Sequence, residues 1–146
     1  TNYYGDTDHF LYRALDALPG GLKGKRVVIM GSLEPWYEAV CIAYEAESCT
    51  TIEYNKLEFD HPKIRTFTVE EYAVASPKPR FDVAFSISSF EHDGLGRYGD
   101  AINPDGDLGA MENMRTVLEE GGMLFLAVPV GKVAIPPFSP IMSPCT

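Results

Sequence analysis

The sequence predicts an α/β domain built on a mostly parallel sheet of about five strands, and three observations carry that prediction. Short apolar runs without polar alternation, Arg26-Val27-Val28-Ile29-Met30 and Phe81-Asp82-Val83-Ala84-Phe85-Ser86-Ile87 foremost, have the pattern of strands buried on both faces. Segments with apolar residues at helical spacing separate those runs, and Gly or Pro clusters mark the junctions. Strands alternating with helices in this way give a parallel sheet with right-handed crossovers.

Taken in order, the segment from Asp8 to Leu18 carries Phe10, Leu11, Ala14, Leu15 and Leu18 on one helical face, and Pro19-Gly20-Gly21 stops it. Residues 1–24 thus read as an N-terminal helix and linker. Arg26 to Met30 is the first strand, Gly31-Ser32-Leu33-Glu34-Pro35 a turn, and Trp36 to Ala46 a helix with Pro35 at or near its first position. Thr50 to Tyr54 and Lys63 to Thr68 are the second and third strands, with Val69 to Ala75 a short helix. Pro77-Lys78-Pro79 forces a loop before the fourth strand, Phe81 to Ile87. A long Gly- and Asp-rich loop from Ser88 to Asp107 follows, and a span of that length inside a compact domain is functional or disordered. Leu108 to Glu120 is a helix, capped by Gly121-Gly122, and Met123 to Val130 is the fifth strand. The domain therefore spans 25–132, and residues 133–146 form a Pro-rich tail that excludes a central strand.

Composition narrows the function classes. A formal net charge of −9 with scattered basic residues argues against a nucleic-acid partner, since affinity for phosphate backbones rests on clustered Lys and Arg. No apolar run approaches the roughly 18 residues of a membrane span, so no membrane association is expected and a cytoplasmic location is. Cys41, Cys49 and Cys145 lack CxxC spacing, which points to reduced thiols with Cys41 in the core, and no metal site is expected. Asn103, Asp105, Gly106, Asp107 and Glu112 fall on ligand positions of a calcium-binding loop, but Ala101 stands where its first acid belongs and Pro104 interrupts it. Asp105 or Asp107 suits the N-terminus of the following helix better.

In open parallel sheets, ligands bind beyond the carboxyl ends of the strands where strand order reverses. That rule puts Gly31, Ser32 and Leu33 at a pocket through their backbone amides. Glu53, which follows Gly31 by 22 residues at the end of the second strand, has the spacing of an acid that accepts hydrogen bonds from ribose hydroxyls. Both also have a purely structural reading, a tight turn and a solvated strand end. The turn lacks GxGxxG and GxxxxGK[ST], which disfavours a pyrophosphate cradle and a nicotinamide enzyme. Glu34 and Glu38 near the start of the helix would repel phosphate and attract a cationic sulfonium or an amino group, which turns the expectation toward S-adenosylmethionine. Trp36 is the aromatic expected in the pocket wall. Arg97 is expected to meet an anionic substrate or to pair with Asp93 or Asp100.

These residues also carry a resemblance. Gly31-Ser32 with Pro35-Trp36 and Glu38, then Glu53-Tyr54-Asn55, then the stretch from Ser86 through Phe90-Glu91-His92-Asp93-Gly94 to Asp100, and finally Gly121-Gly122 before Val128-Pro129-Val130-Gly131 form one pattern. Over about Lys25 to Lys132 the chain resembles an uncharacterised family of methyltransferase-like proteins, a domain of unknown function within the class I S-adenosylmethionine-dependent fold. The resemblance implies a three-layer Rossmann-like sheet, with the final strand pair missing from this chain and a sheet edge left open for a homo-oligomer. It implies S-adenosylmethionine as cofactor, with Tyr54, Ser86 and Ser88 joining Gly31, Ser32, Leu33 and Glu53 around it. It further implies transfer of a methyl group to a small-molecule or saccharide-type acceptor. Glu91 or His92 would take the acceptor's proton, His92 being the better base near neutral pH. Where ordinary methyltransferases carry an acid and two further glycines in the first motif, this chain holds Ile29, Leu33 and Pro35. That departure keeps open a second expectation, a catalytically degenerate module used for binding or assembly.

Overall fold

In a computed structural model that describes residues 5–129, the chain runs α1 (Thr7–Ala17), β1 (Arg26–Met30), α2 (Trp36–Ala43), β2 (Ser48–Glu53), β3 (Ile64–Thr68), α3 (Val69–Val74), β4 (Phe81–Ile87), α4 (Gly106–Val117) and β5 (Leu118–Ala127). A single 3-10 turn, Phe90–His92, lies within the long loop after β4. The five strands form one sheet in the order β3-β2-β1-β4-β5, and each neighbouring pair is parallel. The expected α/β architecture is present, with a sheet that is wholly parallel among the described residues. The expected tail, Cys145 and the end of the fifth strand at Val130 lie outside those residues.

Alternation along the strands divides the core in two. Val27 and Ile29 of β1, Cys49 of β2 and Val83 and Phe85 of β4 face α1 and α2, where Leu11, Leu15, Val40 and Cys41 meet them. Val28, Ile52, Phe81 and Ala84 face the other way, toward Tyr72 of α3 and Met114 and Val117 of α4. Helices thus cover both faces, giving a three-layer Rossmann-like fold. Phe85 is fully buried and stacks on Phe125 of β5 with centroids 4.8 Å apart, so truncating it would remove about 3–5 kcal/mol. Cys41 and Cys49 are free and buried in the first core. A hydrogen bond to Cys41 and burial push the Cys49 thiol far up, so it stays protonated and inert.

Local chemistry explains the boundaries. Thr68 caps α3 reciprocally with Glu71, each side chain taking the other's backbone N–H. α2 stops at Ala43, three residues before the expected end at Ala46, because Glu45 adopts a left-handed backbone with φ 64°. The larger correction concerns Gly121-Gly122. α4 ends at Val117 and passes directly into β5, whose Leu118 pairs with Phe81 while Met123 pairs with Val83. Residues 119–122 therefore bulge opposite Asp82. Gly121 at φ 78° turns the chain, and at Gly122 a Cβ would stand 2.9 Å from the Glu119 carbonyl oxygen. The glycine pair makes a bulge inside the strand, where local pattern reads it as a helix stop. Asp82 and Glu119 at that bulge are gathered by Arg26, which donates to Asp82 from its backbone N–H at 2.8 Å and to Glu119 at 3.0 Å.

Candidate functional site

From β1 the chain moves outward through β2 to β3, then returns to the other side of β1 as β4, so strand order reverses between β1 and β4. A crevice opens beyond the carboxyl ends of these strands for want of a crossover to cover it. A cavity of about 1080 Å³ occupies that place, walled by Met30 to Glu34 after β1, Ile52 to Tyr54 at the end of β2, and Ile87 to Phe90 after β4. The far wall comes from the loop around Asp93 to Asn103 and from α4.

Gly31 begins the first wall. Its φ of 73° is open to glycine, and a Cβ there would come within 2.6 Å of the Ser89 hydroxyl and 3.7 Å of Glu53 Oε2. Its N–H is held by the Ile52 carbonyl at 2.9 Å, which ties the turn to β2. Ser32 is buried and donates its hydroxyl to the Glu34 carbonyl at 2.8 Å, while Leu33 is 68% exposed at the rim. Trp36 takes its expected place in the wall.

Glu53 is only 8% exposed. Its Oε1 accepts the Tyr54 N–H at 2.8 Å, and Oε2 has no hydrogen-bond partner among the described residues. Beside it, Tyr54 donates its hydroxyl to Asp93 at 3.2 Å and lies nearly parallel to the Tyr98 ring, centroids 6.3 Å apart. Burial, followed by the charge of Asp93 and the bond to it, pushes the Tyr54 phenol up to about 12. Burial also raises Asp93, against the Tyr54 bond and with help from the charge of Asp100.

The segment after β4 is tied to itself. Asp100 accepts the N–H groups of Gly94 at 2.7 Å, Gly96 at 3.1 Å and Tyr98 at 3.2 Å. Burial opposes its ionisation, but these donors outweigh that and hold the carboxyl below its ordinary range. Gly94 and Gly106 pack so closely that a Cβ would stand 2.0 Å from the Asn103 carbonyl oxygen at the first and 2.6 Å from that of Asp93 at the second. Arg97 pairs with neither acid; its guanidinium lies over the Tyr98 ring at 5.6 Å.

Of the residues the sequence singles out, Gly31, Ser32, Leu33, Glu53, Tyr54, Ser88 and His92 line the cavity. Ser86 does not; it is fully buried in β4. Glu91 is not a lining residue either. Its Oε1 accepts the Ser88 hydroxyl at 2.5 Å and lies 3.9 Å from His92 Nε2, and its Oε2 is buried without a partner. Ser88 holds a left-handed backbone at φ 50°, a strained state for a serine, next to this carboxylate. His92 meets the Tyr98 ring edge-on at 6.0 Å. The charged lining residues are Glu34, Glu53, Asp93 and Asp100 against Lys78, whose ammonium rests over the Tyr72 ring at 4.8 Å. The field in the cavity is negative.

The family model described as Caenorhabditis protein of unknown function, DUF268, matches residues 24–138. The chain belongs to this family. No curated protein matches it. The match spans β1 through β5 of the DUF268 domain, and with them every wall of the cavity. Among the described residues, no cluster of His, Cys, Asp and Glu suited to a metal ion occurs, and no helix is long and apolar enough to cross a membrane.

Asp93 and Asp100, brought in by the long loop, and Lys78, from the loop between α3 and β4, enter the site without a local pattern that marks them as lining residues. Glu38 is the reverse case. Expected at the helix start as a negative charge acting on a ligand, it is fully buried and does not line the cavity. Its spacing held a clue: Glu38 precedes the core-facing Cys41 by one helical turn and shares its stripe.

Proposed function

We propose that this DUF268 chain is an S-adenosylmethionine-dependent methyltransferase acting on a small-molecule or saccharide-type acceptor. The observation that carries the reading is Glu53, a nine-tenths buried carboxylate at the end of β2 with one oxygen unpartnered beside the cavity. A carboxylate oxygen that meets only the cavity, at the switch point of a parallel sheet, suits a ribose diol. The residues present fit the cofactor in two further respects. Gly31, for want of a Cβ, lets the Ser89 hydroxyl and Glu53 close in on the turn, so that backbone and polar side chains meet at one point of the cavity wall. The negative lining favours a cationic sulfonium and an amino group over phosphate.

When bound, S-adenosylmethionine would supply an electrophilic methyl group carried on positive sulfur. The chain's own residues do the rest. Glu53 accepts from ribose hydroxyls, the backbone of Gly31 to Leu33 bounds the amino-acid portion, and Trp36 and Tyr54 supply apolar wall. His92 takes the proton of an acceptor hydroxyl or amine. Glu91, set back from the cavity, acts through Ser88 and His92 as a positioning residue.

Isothermal titration with S-adenosylmethionine and S-adenosylhomocysteine tests this, repeated on Glu53→Ala. Micromolar binding that weakens at least tenfold in the variant is expected, and no binding to the intact chain sinks the enzyme reading. A catalytically degenerate module for binding or assembly is the second reading. The outer side of β5 favours it, being a sheet edge among the described residues, with half-exposed Met123 and Leu126 on the strand and Val128 just after it. A sedimenting dimer together with no cofactor binding would put that reading first.

A further inference from the structure

Glu38 is a fully buried carboxyl outside the cavity that the proposed chemistry does not use. It sits in the first turn of α2, one layer behind the cavity wall. Its Oε1 accepts the Thr51 hydroxyl of β2 at 2.5 Å, and its Oε2 lies 3.4 Å from the Ser32 hydroxyl. Ser32 has one proton, and the Glu34 carbonyl takes it at the shorter distance of 2.8 Å. If Glu38 were ionised, Oε2 would face a hydroxyl oxygen whose proton is committed elsewhere, in a site without a cation. If Glu38 is protonated, every polar atom has a role: Thr51 donates to Oε1, Oε2–H donates to Ser32, and Ser32 donates to Glu34. We propose that Glu38 works as a neutral acid, a positioning residue whose proton locks the Gly31–Glu34 wall of the cavity to β2 and makes ligand binding there fall as pH rises.

Among the described residues no cation faces Glu38, and the anion is favoured only by donors from Thr51, Ser32 and its own backbone. From β2 the facing titratable group is Cys49, a buried thiol, and from α2 itself Cys41. From β1 the side chains on this face are Val27 and Ile29, and from α1 Leu11 and Leu15. Burial accordingly raises the Glu38 carboxyl, against the bonds from Thr51, its own backbone and Ser32. The sign follows. In the native state this group holds its proton above the unfolded value of 4.5, so its contribution is fully present below that pH and is lost as pH climbs through the raised native value.

The ligand arm of the proposal rests on the cofactor reading, and the stability arm does not. The experiment compares the intact chain with Glu38→Gln, which is uncharged and keeps one donor and one acceptor in place, its amide NH₂ donating to Ser32 and its carbonyl accepting from Thr51. Thermal midpoints and titrations with S-adenosylhomocysteine are taken from pH 5 to 9. In the wild type the midpoint falls with pH and the Kd rises, by up to about tenfold per pH unit above the native value. Glu38→Gln lacks this component in both measurements and melts at or above the wild type at pH 8. A variant that fails to fold, or that melts lower at every pH with the wild-type slope, overturns the proposal. So does a carboxyl carbon resonance of ¹³C-labelled glutamate, identified by its loss in Glu38→Gln, that titrates in the ordinary carboxylate range. If S-adenosylhomocysteine binds neither protein, the cofactor reading fails, and the midpoints and the resonance still decide the role of Glu38.

Discussion

The wall after β1 and the wall after β4 border the same cavity and are held in opposite ways. Residues 31–35 are fixed from outside: the N–H of Gly31 goes to β2, Ser32 reaches a carboxyl in α2, and that carboxyl reaches Thr51. Residues 88–105 fix themselves. Asp100 draws three N–H groups of its own loop onto one side chain, and two glycines let the strands of the loop touch backbone to backbone. The short wall relies on a neutral buried acid and the long wall on an ionised one. Alkaline conditions therefore loosen the first and acid conditions the second.

The contrast can be broken hardest at Gly94. A side chain there must displace the Asn103 carbonyl at a φ of 82°, with no flexible group to yield, so Gly94→Val is expected to cost about 3 kcal/mol or more. Thermal unfolding measures it, and a drop of under a degree would show that the loop is not packed as described. Gly31→Ala comes next. The obstacle is the Ser89 hydroxyl, which can rotate away, so the expected cost is about 1–2 kcal/mol from the left-handed backbone. Its sharper effect is on S-adenosylhomocysteine affinity, because the new methyl displaces Ser89 and lies against Glu53 Oε2. Unchanged affinity would place the ligand elsewhere.

The smallest effect on global stability is expected at the half-buried Asp100. Its carboxyl is held below the ordinary value of 3.8, so its support of the loop is present above that pH and is lost as pH falls below it. Asp100→Asn should accelerate amide exchange at Gly94, Gly96 and Tyr98 at neutral pH while leaving β1 and β4 protected. Equal exchange in variant and wild type would remove Asp100 as the organiser of that wall.

Where a property depended on neighbours in sequence, it could be read in advance. The order of strands and helices, the burial of β1 and β4 on both faces, the turn at Gly31 and the place of Glu53 all follow from periodicity and spacing, because a strand must bury what its pattern makes apolar. The unusual length of the Ser88 to Asp107 loop was legible for the same reason. Gly121-Gly122 shows the limit: a glycine pair permits a helix stop and a strand bulge equally, and the pairing of Leu118 with Phe81 chooses the bulge.

Hydrophobic period and chain order already specify the layered α/β fold and the end of the sheet at which the cavity opens. Only the tertiary structure decided which polar groups face that cavity. Ser86 and Glu91 lie within two residues of Ser88 and His92 in the chain, yet they fall outside the lining, while Asp93 and Asp100 fall inside it. Glu38 passes from a charge expected to act on a ligand to a buried acid behind the wall for the same physical reason. Whether a carboxyl is ionised depends on the water and donors around it, and those are supplied by Thr51 and Ser32 from elements that meet it only once the sheet has formed.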